Sequence, residues 1–388
     1  MERHQNDAFV GTMDKPISVL IPDGESDFAL FVMHGFAGLS NVKLILRSND
    51  RWAPARFSRY CAKFVHRRIE AEPEERLNAV AQLVEETQAD VLLPVETDWI
   101  EFASAMRQPL SQLLAVVPVP EPKTYAMVNN KWLLARFIEK HQVPGPPTVL
   151  GTLDDDFERQ VRAMEFPVLI KPVTAWGGEG IQRFDSVDEL QAFLEEYGQE
   201  KFKDRYIVQS FLPGYVIGLN VLCRNGEILA YTMQRGTIPN PQKWAAAAAI
   251  RFIRQEGVLE TAQKLLRAMN WSGFGNLDMF YDTSDQQVKI LEFNARFWGS
   301  LRGSYVAGVN FPYLACLAAL DMPFPVPEYK LAQYIHPKTA FKEGIRRLVS
   351  KSENDFSFSE TGLRYLLNDP LAEAARAIRQ ELTSERWQ

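Results

Sequence analysis

The apolar positions change period along the chain, and those changes divide it. Residues 17–22 form a short apolar run closed by Pro-Asp-Gly, a strand entering a turn, and Ser26 or Asp27 then caps a helix that reaches about Gly35. Residues 42–46 and 62–66 read as further strands. Residues 73–89 open with proline and acids and carry Leu77, Val80, Leu83 and Val84 at helical spacing, and 91–95 is a continuous run of buried-strand type. This alternation predicts a small parallel sheet wrapped by helices over residues 1–115.

The character then changes. A proline-rich stretch at 117–122 cannot continue a helix or a central strand and reads as a linker or edge segment. A helix is expected over about 129–141, and Pro144-Gly145-Pro146-Pro147 breaks the chain again. Strands follow at 166–171 and 181–184, then a helix over 186–197 with Ser186 and Glu189 in capping-box spacing, then a strand at 206–211. Residues 216–223 and 228–233 flank an Asn-Gly turn, and 276–281 and 288–293 flank a polar turn, so two hairpins are expected. This is an antiparallel α+β pattern. Residues 245–249 are five alanines that favour helix, beside Ile250, Phe252 and Ile253 that suit a strand; both readings stand. Past 330, residues 363–367 and 371–382 read as terminal helices. The expected division is 1–115, then 116–320 with a lid subdomain at about 146–212, then a mostly helical extension over 321–388.

Charge and composition narrow the function. The 388 residues carry 43 Lys and Arg against 49 Asp and Glu, a net −6, which argues against a nucleic-acid binder. An apolar content of 46% is enough for a large core. Cys61, Cys223 and Cys316 are too far apart for a disulfide framework or a metal pair, and the five histidines lack ligand spacing. The N-terminus has no apolar signal-like region and no stretch is long enough to span a membrane, so a cytoplasmic protein is expected.

Three segments carry chemistry. Lys171 ends an apolar strand, and Gly177, Gly178 and Gly180 follow. Glycines let backbone N–H groups approach a phosphate, and the lysine adds a point charge; alone, a glycine hairpin with a solvated lysine fits equally. Glu292, Asn294 and Arg296 alternate along one strand and its end and so share a face, while Leu291 and Phe293 argue that the opposite face is buried. Asp278 lies on the partner strand. Two carboxylates and an amide oxygen suit Mg²⁺ bridged by phosphates better than zinc. Third, Gln209, Ser210, Phe211 and Leu212 run from a strand into Pro-Gly, where backbone groups of an exposed edge would read adenine; an ordinary core strand is the alternative.

In this order the segments resemble the ATP-grasp superfamily, particularly its carboxylate–amine ligase branch. The resemblance rests on Asn130-Lys131, Phe-Pro-Val-Leu-Ile-Lys171-Pro, Val-Gln209-Ser-Phe-Leu-Pro-Gly214, Gly-Phe-Gly-Asn-Leu-Asp278 and Leu-Glu292-Phe-Asn294-Ala-Arg296-Phe-Trp-Gly-Ser. It covers about residues 124–319. It implies an α/β N-terminal domain with a small parallel sheet, followed by an α+β ATP-grasp fold with a mobile lid subdomain. It implies that Lys131 and Lys171 bind ATP phosphates under the loop of Gly177, Gly178 and Gly180. Backbone groups near Ser210, Phe211 and Leu212 would bind adenine, and Gln209 stands where many members have glutamate. Asp278, Glu292 and Asn294 would hold Mg²⁺ (two ions, with Mn²⁺ as an alternative), and Arg296 would face the reacting phosphoryl group.

Three positions depart from the family pattern. Val216 stands where many members have an acid for ribose. Glu179 in the glycine loop is expected to point to solvent, and Trp176 is expected either as a lid or packed on its own loop. The implied activity is ADP-forming: a small-molecule carboxylate becomes an acyl phosphate and is joined to an amine. Acid–thiol ligation, carboxylation, phosphorylation, or a nucleotide-binding module without turnover remain alternatives. Arg235, Arg251 and Arg302 are candidates for the substrate carboxylate, with an ordinary surface arginine the equal alternative for each. No nucleic-acid or membrane partner is expected, and a homodimer is compatible with the family.

Overall fold

The computed structural model describes residues 16–175, 177–349 and 356–384. Its strands are, in order, β1 (Ile17–Ile21), β2 (Val42–Ser48), β3 (Cys61–His66), β4 (Val91–Leu92), β5 (Ala115–Val116), β6 (Thr148–Leu150), β7 (Val168–Pro172), β8 (Gln182–Phe184), β9 (Tyr206–Ser210), β10 (Gly214–Arg224), β11 (Glu227–Ile238), β12 (Ala249–Phe252), β13 (Gly273–Asp282), β14 (Gln287–Asn294) and β15 (Gln333–Ile335). They form three sheets.

The first sheet is parallel, in the order β3-β2-β1-β4-β5. Val19, Ile21, Leu44 and Leu46 point to one side, Leu20, Ile45 and Leu92 to the other, and helices cover both. Burial on two faces is what the continuous apolar runs require. β4 is shorter than the apolar run 91–95, because the chain leaves the sheet at Pro94. Pro122 opens the helix Pro122–Val128, so the expected linker ends one residue inside a helix.

The second sheet is antiparallel, in the order β6-β9-β7-β8, and carries its own small core. Val168, Ile170 and Val208 enter that core; alternation sends Leu169, Lys171 and Gln209 to the other face.

The third sheet runs β14-β13-β10-β11-β12-β15. Asn225 and Gly226 both adopt positive φ (50° and 80°), which the tight β10–β11 turn needs. Of the alanine run, Ala249 enters β12, so the strand reading holds at its end. The chain beyond 320 is woven in: β15 forms the far edge of this sheet, and the helix Pro370–Ser384 packs on the N-terminal unit through Gln380–Asp27 and Arg379–Glu25. No helix among the described residues is long and apolar enough to cross a membrane.

Candidate active site

The second and third sheets face each other across a cleft of about 1310 Å³. Its walls include Lys131, Phe166, Gln209, Phe211, Leu212 and Leu291.

On the lid side, Lys171 is the penultimate residue of β7, its side chain is buried, and its Nζ donates to Gln209 Oε1 at 2.6 Å. Gln209 Nε2 in turn donates to Thr148 Oγ1 at 2.9 Å. Burial pushes the Lys171 ammonium down to about 8, opposed by the Glu292 and Asp278 carboxylates of the facing sheet. Lys131 begins the helix Lys131–Lys140 behind the Asn130 cap, and its Nζ lies 3.6 Å from Glu292. Ser210 N–H donates to Pro147 O and Phe211 N–H to Pro167 O, both at 3.0 Å. Among the described residues no backbone bond engages the Leu212 amide, which leaves it as the donor of this edge. Gly177, Gly178 and Gly180 all hold positive φ, between 67° and 83°, and Glu179 is exposed as expected. Trp176 lies outside the described residues.

On the other side, Asp278 and Glu292 are directly paired across β13 and β14, and Asn294 Nδ2 donates to Asp278 Oδ2 at 3.3 Å. Burial and the Glu292 charge push Asp278 up to about 7, and Lys171 and Arg296 pull it back. Two carboxylates held together against their repulsion are what a divalent cation relieves. The donor set therefore fits Mg²⁺: Asp278, Glu292 and the Asn294 carbonyl are hard oxygen ligands, and phosphate and water would complete the shell. Among the described residues no group of three or more His, Cys, Asp or Glu is placed to hold a metal ion by itself. Arg296 is anchored by Nη1 to Phe297 O at 2.9 Å and lies 5.0 Å over the Phe28 ring.

One expectation about this strand changes. The β13–β14 register slips at Asp278/Met279, so Leu291 is an extra, bulged residue. It lines the cleft instead of the buried face, and only Phe293 is buried as expected.

The three substrate arginines are not where the sequence suggested. Gly218 opposes both Gln234 and Asp278, so Gln234 shares the carboxylate face. Arg235 pairs with Arg251 and takes the other face, 3.7 Å over the Tyr215 ring. Arg302 is 1% exposed and ion-paired to Glu373 of the C-terminal helix. The carboxylate face continues instead as a neutral network that sequence reading missed. Asn276 donates to Asn220 at 2.9 Å, Asn220 to Thr232 at 3.0 Å, and Gln234 to Ser300 at 2.8 Å. Asn276 stands two residues before Asp278 and was findable by alternation; the others become neighbours only through register. Val216 is 49% exposed on this face and offers no polar group to ribose.

Two antiparallel sheets thus flank a cleft, with Lys171 and Lys131 brought near the paired carboxylates of the third sheet. Residues 128–300 match a family described as ATP-grasp domain. It is 23% identical over 302 residues to a D-aspartate ligase of Enterococcus faecium, covering 72% of this chain and 70% of that one. It is 24% identical over 212 residues to a carbamoyl-phosphate synthase of Methanobrevibacter smithii, covering 53% and 56%. The match thus spans little more than half of that second relative. Among solved structures, an N5-carboxyaminoimidazole synthetase from Staphylococcus aureus complexed with ADP superposes with a TM-score of 0.64 at 14% identity, over 86% of this chain and 87% of that one.

Proposed function

We propose that the protein is an ATP-dependent ligase that converts a small-molecule carboxylate to an acyl phosphate and joins it to an amine. The carrying observation is the apposition of Lys171 and Lys131 with Asp278, Glu292 and Asn294, shown by the 3.6 Å Lys131–Glu292 approach. The ligases among its relatives support the same class.

In this reading adenine enters between Phe211 and Leu291 and takes the Leu212 amide. Lys131 and Lys171 hold the phosphates, and the positive-φ glycines bring backbone N–H groups over them. A divalent cation on Asp278, Glu292 and Asn294 would neutralise charge on the transferred phosphoryl group. The substrate carboxylate oxygen attacks the γ-phosphorus as the bond to ADP breaks, and Arg296 pairs with the equatorial oxygens. The amine nitrogen then attacks the acyl carbon, phosphate leaves, and the nitrogen loses a proton. The chain's tasks are positioning and water exclusion; no side-chain nucleophile is required.

The test is ADP release with pooled carboxylates and amines, with hydroxylamine trapping of the acyl phosphate. Glu292→Gln should keep the fold and lose turnover by at least about 100-fold. ATP binding without ADP or phosphate from any pool, or full turnover by Glu292→Gln, would sink the reading.

A further inference from the structure

Arg235 and Arg251 stand directly opposite each other on β11 and β12, both exposed and both on the face of the third sheet turned away from Asp278. Like charges placed opposite each other on neighbouring strands destabilise the pair. The ordinary remedy is an acid beside them, and the chain does not supply one. Among the described residues neither arginine has a hydrogen bond or an ion pair. Gln333 of β15 pairs with Arg251 on its other side, and the carboxylate that reaches this edge, Glu360, is taken up by the N–H groups of Gln333 and Ser357.

The two cations are also not free to part. The Arg235 guanidinium lies 3.7 Å over the Tyr215 ring. That ring is itself fixed, stacked on Tyr281 at 5.3 Å, with its hydroxyl donating to Gln255 at 3.2 Å. Stacking uses the flat face of a guanidinium and leaves the N–H groups of its edge to a ligand. Arg251 rises from the next strand with its Cβ about 5 Å from that of Arg235, so both forks can reach one small anion.

We propose that Arg235 and Arg251 form a phosphate-binding site, separate from the nucleotide cleft. Charge selects the ligand. A phosphate group carries about −1.5 to −2 at neutral pH and offers at least three acceptor oxygens, which matches two guanidinium groups. A carboxylate carries one charge and is satisfied by a single bidentate fork, leaving the second arginine uncompensated. The place gives the site a consequence. Residues 239–248 join β11 to β12, and this loop brings Trp244 against Gly178 of the glycine loop. A phosphate held between Arg235 and Arg251 ties the two strands together at the root of that loop. The ligand is either free phosphate or a phosphate ester, and the site holds whatever reaction the cleft performs.

Phenylglyoxal modification of the full chain, read peptide by peptide by mass spectrometry, tests this. With ~10 mM inorganic phosphate, modification of Arg235 and of Arg251 should slow by about tenfold, the protection that a ~1 mM site gives. Arg162, exposed at the end of the helix Asp155–Arg162, should slow by less than about twofold, the effect of screening alone. Acetate at the same ionic strength should protect none of them. Arg235→Gln should leave Arg251 unprotected, and Arg251→Gln should do the same to Arg235, with unchanged circular dichroism in both variants. Glycerol phosphate is the second arm. Protection at a lower concentration than inorganic phosphate needs assigns the site to an ester, and the reverse order assigns it to the free ion. Equal protection of Arg162, protection by acetate as strong as by phosphate, or full protection of Arg251 in the Arg235→Gln variant overturns the proposal.

Discussion

Lys171 and Gln209 form a closed pair inside the lid sheet, with Nζ donating to Oε1 at 2.6 Å and the amide held in turn by Thr148. A neutral acceptor orients the ammonium without cancelling its charge toward a phosphate. Gln209→Leu removes that acceptor and leaves a buried, mispositioned cation. The expected outcome is about a tenfold rise in the ATP dissociation constant, equivalent to ~1.4 kcal/mol, measured by nucleotide titration. Gln209→Glu should bind ATP better than Gln209→Leu, because a carboxylate restores the acceptor. Equal affinity in all three proteins would separate Gln209 from nucleotide binding.

Gly178 of the glycine loop meets Trp244 of the 240s loop. A Cβ at Gly178 would stand 2.6 Å from the Trp244 carbonyl oxygen, and Trp244 itself holds a positive φ of 68°. Backbone against backbone leaves no flexible atom to yield. Gly178→Ala should therefore part the glycine loop from the 240s loop, while Gly177→Ala, with open space around its Cβ, bears only the conformational cost of its φ of 67°. Turnover at saturating substrate should fall more in the Gly178 variant than in the Gly177 variant. The reverse order would show that the contact with Trp244 does not matter.

Much of this site was legible in the sequence because its signals are local. Lys171 and the glycines lie within ten residues, and Glu292, Asn294 and Arg296 alternate on one strand. Asp278 could be paired with Glu292 because a hairpin places consecutive strands side by side. What failed depended on register or on distant partners. Arg235 is adjacent to Gln234, and only the β10–β11 pairing shows which of them faces the carboxylates. A single bulge moved Leu291 into the cleft. Arg302 finds Glu373 from 71 residues away, and β15 adds an edge strand from a segment with little periodicity of its own.

Arg302 is predicted to act on stability and not on substrate. It is buried against Phe31 and Tyr365 and paired to Glu373, itself also bridged by Arg376. Arg302→Met takes away one cation of the buried Glu373 while Arg376 keeps the other oxygen, so the cost falls toward or below ~3 kcal/mol, the low end for a buried pair broken on one side. Urea unfolding should show that loss. The folded fraction should keep its KM for the acid and its ATP affinity. A variant with unchanged stability and a raised KM for the acid would return Arg302 to the role read from the sequence.

The same junction makes the fold acid-sensitive. His34 packs between Tyr60 and Tyr365, with its Nε2 3.2 Å from Asp369; burial and the Arg302 charge hold it down at about 4. His336 is also held down at about 4, by burial and then by Arg302 and Arg376. Both lie below the ordinary 6.5, so the unfolded chain takes up protons first as pH falls. Stability is full above about 6.5 and declines between 6.5 and 4, by ~1.4 kcal/mol per pH unit for each histidine. Asp369 and Glu373, both held below their ordinary values, extend the loss further down. Urea midpoints at pH 7, 5.5 and 4.5 should fall in that order, and His34→Gln should reduce the slope by about half in the upper part of the window. An unchanged slope in His34→Gln would show that His34 is protonated in the folded protein.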